Sequence, residues 1–242
     1  MPTSTDVRTA RVALLPDGGG RARLDLRSGL VSPRVVRQDA ASAEVALVAT
    51  TATLLGGDEL RLDVEVGPGL RLDLRDVAGT VAYHGRGRGA LVAVSLVVHP
   101  GAVLVWAGEP LVVCDGAQVV RDLDVEVAET GRLLLRDRVA LGRTGQGGGE
   151  LTCRTTMAYA ARPAMVEDLT LGGETASGPG VLGGKRVVDT VIALGWRPAS
   201  APGPAVFTLH EPGALARQLV TAAHDSTLPH LWMQWISQIG SG

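Results

Sequence analysis

The sequence predicts a mainly β protein. Its sheets are expected to be elongated, stacked or coiled, and antiparallel, built from repeated hairpins and followed by one or two C-terminal α-helices. Three observations lead there. One pattern occurs three times: LDVEV-GPG-LRLDL at residues 62–74, VSLVV-HPG-AVLVW at 94–106 and LDVEV-AETG-RLLL at 123–135. Repeats starting roughly 30 residues apart are the signature of a stacked or coiled sheet. Within each run polar and apolar residues alternate, so Leu62, Val64 and Val66 share one face of a strand and Asp63 and Glu65 the other. Each copy is also broken by a short turn. Pro68-Gly69 and Pro100-Gly101 supply the fixed and the permissive φ that a reversal needs. The copies are therefore expected to be antiparallel hairpins with one buried face.

The remaining elements follow in order. VALL (12–15), a turn at Pro16-Asp17-Gly18-Gly19-Gly20 and RARLDL (21–26) form an opening hairpin. A connection through Ser32-Pro33 leads to RVVRQ and then to EVALVATTATLL (44–55), rich in Val and Thr as strands are. After the third copy come a glycine-rich loop, GRTGQGGGE (142–150), and strands at 151–160 and 164–171. Residues 172–184 read as a second glycine-rich loop. RVVDTVIALGW (186–196) reads as a strand, with a short helix as the alternative, and a Pro/Ala/Gly loop (198–204) precedes the strand AVFTLH (205–210).

Only the end looks helical. ALARQLVTAA (214–223) is expected to form one helix and LPHLWMQWISQI (228–239) another. In the second, Leu228, Leu231, Trp232, Trp235, Ile236 and Ile239 form one apolar stripe, closed by Gly240. Burying it is worth on the order of 10 kcal/mol gross, at about 1.5–3 kcal/mol per side chain. The stripe packs either on the protein's own sheet or on a partner. A chain of 242 residues so organised is expected to be one β domain, with a β-rich scaffold at 1–211 and a helical segment at 212–242.

Composition excludes several classes. Apolar residues make up 45% of the chain and the net charge is −2, as in a soluble globular protein. No apolar run approaches the roughly 20 residues of a membrane span, and MPTSTDVRTA lacks a signal pattern, so a cytoplasmic location is expected. Arginines are balanced by acids, which leaves no basic field for nucleic acid. Cys114 and Cys153 make no disulfide framework and read as buried thiols.

No catalytic motif emerges. His224, Asp225 and Ser226 are adjacent, but no G-x-S-x-G elbow is present. GQGGGEL lacks the Lys-Ser/Thr ending of a phosphate loop. HGRGRG (84–89) has no interleaved aromatics for RNA, and the five histidines show no zinc spacing. Most carboxylates lie on the outward phase of strands, while Asp58, Asp115 and Asp137 sit at turns or strand ends where acids can line a cavity.

The order of small motifs adds a resemblance. LGGDELRLDVEVGPG (55–69), AGTVAYHG (78–85), GAVLVWAGEPLVVCDGA (101–117), LLLRDRVALGR (133–143) with Glu150 beyond, and PAMVEDLTL (163–171) together resemble the urease accessory protein family UreD, called UreH in some organisms. The match runs in order from about Ser32 to Leu171. It implies a non-catalytic maturation factor with an elongated β fold. Such a scaffold or chaperone binds apo-urease and UreF, reaches the nickel-carrying GTPase UreG through UreF, and offers nickel a polar internal passage. No tightly bound cofactor is implied, only Ni²⁺ in transit.

Carried over by position, the resemblance assigns the passage to Asp58, Asp137 and Glu167 as transient nickel ligands and to Thr80 and Tyr83 as lining residues. Glu109, Asp115 and Glu150 are further lining candidates. A conduit needs separated, weak oxygen donors, because a His/Cys cage would hold the metal. The chain departs from the family pattern at Val81, at His84-Gly85, at Arg136 where the family has Trp, and in its longer glycine loop. It also lacks the family's Pro-Tyr-Pro segment near residue 38. Two other readings stand beside this one. One is a β-rich hydrolase or transferase using Asp58 and Asp137 as acid and base. The other is a binding domain docking through Leu231, Trp232, Trp235 and Ile236.

Overall fold

The computed structural model describes residues 9–51, 53–173, 180–199 and 205–240. The N-terminal residues 1–8, Ala52 in the run 44–55, and parts of the two loops (174–179 and 200–204) lie outside the described residues. The chain forms strands β1 (Ala10–Pro16), β2 (Ala22–Arg27), β3 (Val31–Gln38), β4 (Ser42–Ala49), β5 (Glu59–Val66), β6 (Arg71–Asp76), β7 (Thr80–Ala82), β8 (Ala90–Val98) and β9 (Val103–Ala107). Then come β10 (Leu111–Val113), β11 (Gln118–Val127), β12 (Arg132–Leu141), β13 (Glu150–Tyr159), β14 (Arg162–Leu171), β15 (Val187–Leu194), β16 (Val206–Thr208) and β17 (Gly213–Val220). A 3₁₀ turn (Ala223–Asp225) and one helix, α1 (Leu228–Ile239), end the chain.

The mainly β, stacked and coiled architecture is as the repeats imply, but the pairing within it is different. The two runs of each copy do not pair with each other. β5, β8 and β11 lie side by side in one sheet, whereas β6, β9 and β12 lie side by side in the other, and both sets run parallel. Each copy is therefore an arch from sheet to sheet, and the repeat length is one full coil. The copies stack in register: Ala10, Leu62, Val94, Leu123 and Thr155 form one row across five parallel strands.

The turns give the physical reason. Leu70 N bonds Gly67 O and Ala102 N bonds His99 O, with Pro at the second position and positive φ at Gly69 and Gly101. That is the pattern of a type II turn, whose twist splays two strands instead of pairing them. The third copy places Thr130 in the same left-handed conformation, at φ 65°. Successive turns also bond to each other, through Gly69 N to Pro100 O and Gly101 N to Thr130 Oγ1.

The first sheet runs β14-β13-β11-β8-β5-β1-β2 and the second β16-β17-β15-β12-β9-β6-β4-β3, with β7 and β10 attached beside β12. Antiparallel strands cap the parallel cores of both. The inward residues of the two sheets make one apolar core, among them Leu62, Leu72, Leu96, Leu104, Leu123 and Leu133. The second sheet is buried on its outer face as well. There Val105, Leu134, Val191, Ala193, Ala214 and Ala216 pack under Leu228, Leu231, Trp232, Trp235 and Ile239 of α1, with Ile236 partly buried beside them. The apolar stripe thus lies on the protein's own sheet. Of the side chains named for partner docking, Leu231, Trp232 and Trp235 are covered and Ile236 partly so, and Met233 on the opposite face is exposed.

Two local expectations are corrected. Residues 214–223 form no α-helix: Gly213–Val220 is strand β17, bonded along its whole length to β15 and over Ala214–Ala216 to the short β16, and Ala223 opens the 3₁₀ turn. The open edge of β15 offers a ladder of hydrogen bonds and burial on two faces, which overrides the helix propensity of Ala, Leu, Arg and Gln. In the run 44–55 the strand ends at Ala49. Of the two alternatives for 186–196, the strand is formed, and burial of all eight residues of β15 accounts for its near-continuous apolar sequence.

Candidate functional site

The core between the sheets is crossed by a polar band, and the strand phase creates it. Inward positions in β6 run Leu72, Leu74, Asp76, and in β11 Val119, Arg121, Leu123. In β12 they run Leu133, Leu135, Asp137, Val139, and in β13 Leu151, Cys153, Thr155, Met157. Glu167 of β14 shares the phase of Leu169 and Leu171, Thr190 of β15 that of Val188 and Ile192, and Arg217 of β17 that of Leu215. Register then aligns Asp137 with Thr190 and Thr190 with Arg217, and separately Thr155 with Glu167.

Charges buried this way must be paired. Arg121 Nη1 donates to Asp137 Oδ2 at 2.6 Å, with the two side chains 13% and 22% exposed. Arg217 donates through Nη1 and Nη2 to Glu167 Oε1 and Oε2 at 2.6 and 2.8 Å, and through Nε to Thr190 Oγ1 at 3.1 Å. Asp76 accepts from Trp106 Nε1 at 3.3 Å and from the Glu109 amide at 2.9 Å. Burial nevertheless lifts the Asp76 carboxyl to about 6; the charge of Glu109 adds to the rise, and the two hydrogen bonds and Arg121 oppose it. Arg138 closes the group by donating to Gly108 O and to Glu109. Burial pushes the Cys153 thiol up to about 11, which keeps it protonated near neutrality.

Three cavities follow this band, two of them reaching exposed residues such as Ala49. The first, of about 90 Å³, is lined by apolar side chains and by Asp76, Thr80, Glu109, Arg121, Asp137 and Arg138. The second, of about 20 Å³, lies among Arg121, Asp137, Cys153, Thr155, Glu167, Thr190 and Arg217. Arg121 and Asp137 are the residues common to both, so their ion pair forms the wall between them. The third, also about 20 Å³, adjoins the first at Val31, Ala49, Leu60 and Thr80 and reaches Thr51 and Thr53. A space of 20 Å³ holds a water or two at about 10–15 Å³ each.

Of the residues expected at the site, Asp137, Glu167, Thr80 and Glu109 are brought to this band. Four others lie apart from the three cavities. Asp58 accepts from Leu55 N at 2.8 Å and closes the turn before β5. Tyr83 bonds Arg143 Nη1 at 2.9 Å, Asp115 accepts from Gly148 N at 2.6 Å and so pins the glycine loop, and Glu150 accepts from Gln118 Nε2 at 3.3 Å. Asp58 thus lines none of these three cavities, whereas Asp137 lines two. Asp76, Arg121 and Arg217 were not foreseen, although each is a charged residue on the inward phase of its strand, a signal present in the sequence. Arg136, where the family has Trp, makes a bidentate pair at 3.1 and 2.7 Å with Asp189, which is 1% exposed.

The chemistry available is that of hard oxygen donors, each neutralised by a neighbouring cation or hydrogen-bonded in place. Among the described residues no group of three or more His, Cys, Asp or Glu is placed to hold a metal ion. The oxygen donors of the band are spread over several strands of both sheets. Among the described residues, no helix is long and apolar enough to cross a membrane.

Comparison with known proteins gives a consistent result. The family model described as UreD urease accessory protein matches residues 9–232. The chain is 43% identical over 215 residues to urease accessory protein UreD 1 of Streptomyces griseus, covering 88% of this chain and 84% of that protein. It is 36% identical over 219 residues to urease accessory protein UreD of Frankia alni, covering 76% and 74%. To urease accessory protein UreD of Streptomyces coelicolor it is 32% identical over 221 residues, covering 89% and 86%.

Proposed function

The chain belongs to the UreD urease accessory protein family, and from that premise we propose that it is a non-catalytic scaffold that passes nickel to apo-urease through the interior between its two sheets. In this account it acts in the cytoplasm, binds the urease structural subunits and UreF, and meets UreG through UreF. One observation supports the conduit: the inward-phase oxygen donors Thr80, Asp137 and Glu167 lie along adjoining cavities between the sheets. A cation moving along them exchanges one weak oxygen contact for the next, as transfer requires. The 20 Å³ spaces are too small for an ion with its whole hydration shell, so each step replaces water by a side-chain oxygen.

Co-purification tests the scaffold. A tagged chain co-expressed with urease and its accessory proteins should bring down apo-urease and UreF, and recovery of neither removes the proposal. Glu167→Ala should leave that complex assembled and lower the nickel bound per urease; unchanged nickel counts against the conduit.

A further inference from the structure

In the family reading Asp137 and Glu167 are ligands, yet in this structure each already holds an arginine. Arg121 faces both the 90 Å³ and the 20 Å³ cavity, and Arg217 borders the second. A guanidinium does not lose its proton in a protein, so these cations cannot leave by titration. They leave only by swinging away. Resting on the conduit reading, we propose that Arg121 and Arg217 are built-in cationic competitors, which a divalent cation must displace from Asp137 and Glu167 and which return behind it.

The geometry gives this arrangement two consequences. With the arginine in place, the carboxylate is neutralised and the wall between the two cavities is closed. With a divalent cation on the carboxylate, the guanidinium is repelled, and the alternatives open to it lie along the same cavity. Arg121 adjoins Asp76, and Arg217 keeps its contact with Thr190. Residence is short because each carboxylate has a tethered partner waiting. Without the arginine, the same carboxylate would take up either a proton or a cation, and a divalent ion would no longer compete with a tethered guanidinium for it. The arginines are thus positioning residues that set how weakly the interior holds its cargo.

The test uses the full chain and Ni²⁺ itself as the probe, with nickel per chain measured after desalting and the shift in melting temperature on adding Ni²⁺. Arg121→Met should retain about tenfold more nickel than the parent, the factor that 1.4 kcal/mol of competition sets. It should also show a nickel-dependent rise in melting temperature absent from the parent. Arg121→Lys, which keeps the charge, should stay near the parent, and Arg121→Met/Asp137→Leu should lose the gain. Arg217→Met gives an independent reading at Glu167. A variant that folds only with Ni²⁺ present also supports the proposal. Failure to fold with and without Ni²⁺, or folded variants with parental retention, overturns it and leaves the pairs purely structural. The two readings separate cleanly. Unchanged retention together with reduced nickel delivery in Glu167→Ala sinks the competitors and keeps the conduit. Raised retention in Arg121→Met together with full delivery in Arg121→Met/Asp137→Leu keeps the competition for Asp137 and sinks the conduit.

Discussion

Arg121 and Asp137 stand on opposite sheets and meet at 2.6 Å across the core, so their largely buried ion pair joins the two layers where two cavities adjoin. Its members depend on each other strongly. Asp137→Ala strands a buried guanidinium and should cost about 3–5 kcal/mol in urea unfolding. Replacing both, as Arg121→Met/Asp137→Leu, should recover most of that loss, because an apolar pair of similar volume needs no compensation.

Burial, not the count of ion pairs, should decide which pairs matter. Asp189 is 1% exposed beneath Arg136, and Asp189→Ala should also cost about 3–5 kcal/mol. Arg37 and Asp39 are 73% and 57% exposed at 3.5 Å, and Arg37→Ala should change stability by about 0.5 kcal/mol or less. Parallel urea titrations of the two variants check the contrast.

Asp76 should give the fold a signature in pH. Its carboxyl titrates near 6 in the folded state against an ordinary value of 3.8, so between those values the folded chain binds the extra proton. Stability from this group is present below about pH 4 and falls as pH rises through 6, by about 3 kcal/mol at 1.36 kcal/mol per unit. Asp76→Asn should flatten that part of the profile, measured by chemical denaturation from pH 4 to 8.

The C-terminal helix should behave as core. Trp235 is fully buried against the second sheet, and Trp235→Ala should cost about 3–5 kcal/mol. Met233, 63% exposed on the other face, should tolerate Ala within about 0.5 kcal/mol. If Trp235→Ala instead leaves the melting temperature unchanged and abolishes partner recovery, the helix docks outward.

Much of this was legible in the chain, and the remainder was hidden for definite reasons. Alternation in 62–66, 94–98 and 123–127 revealed strands, and their spacing revealed stacking. The Pro-Gly turns carried the further information that the runs arch between sheets, because a type II turn has the wrong twist for a tight hairpin. ALARQLV could not disclose itself as a strand, since its pairing partner β15 lies some 20 residues earlier and its own propensity is helical. Asp137 and Glu167 entered through resemblance. Yet strand phase alone marks Asp76, Arg121, Asp137 and Arg217 as inward charges, once β6, β11, β12 and β17 are phased by their leucines and valines. Which arginine meets which acid depends on how the sheets face each other, and no local pattern encodes it.

The most direct test is the nickel content of urease matured with the charge-free pair. Arg121→Met/Asp137→Leu keeps the two sheets joined by apolar packing while removing an oxygen donor from the junction of the two cavities. Urease recovered in normal amount with this variant, but with nickel per active site reduced several-fold, is the result expected if the interior conducts the metal. Full nickel loading at normal recovery would contradict it.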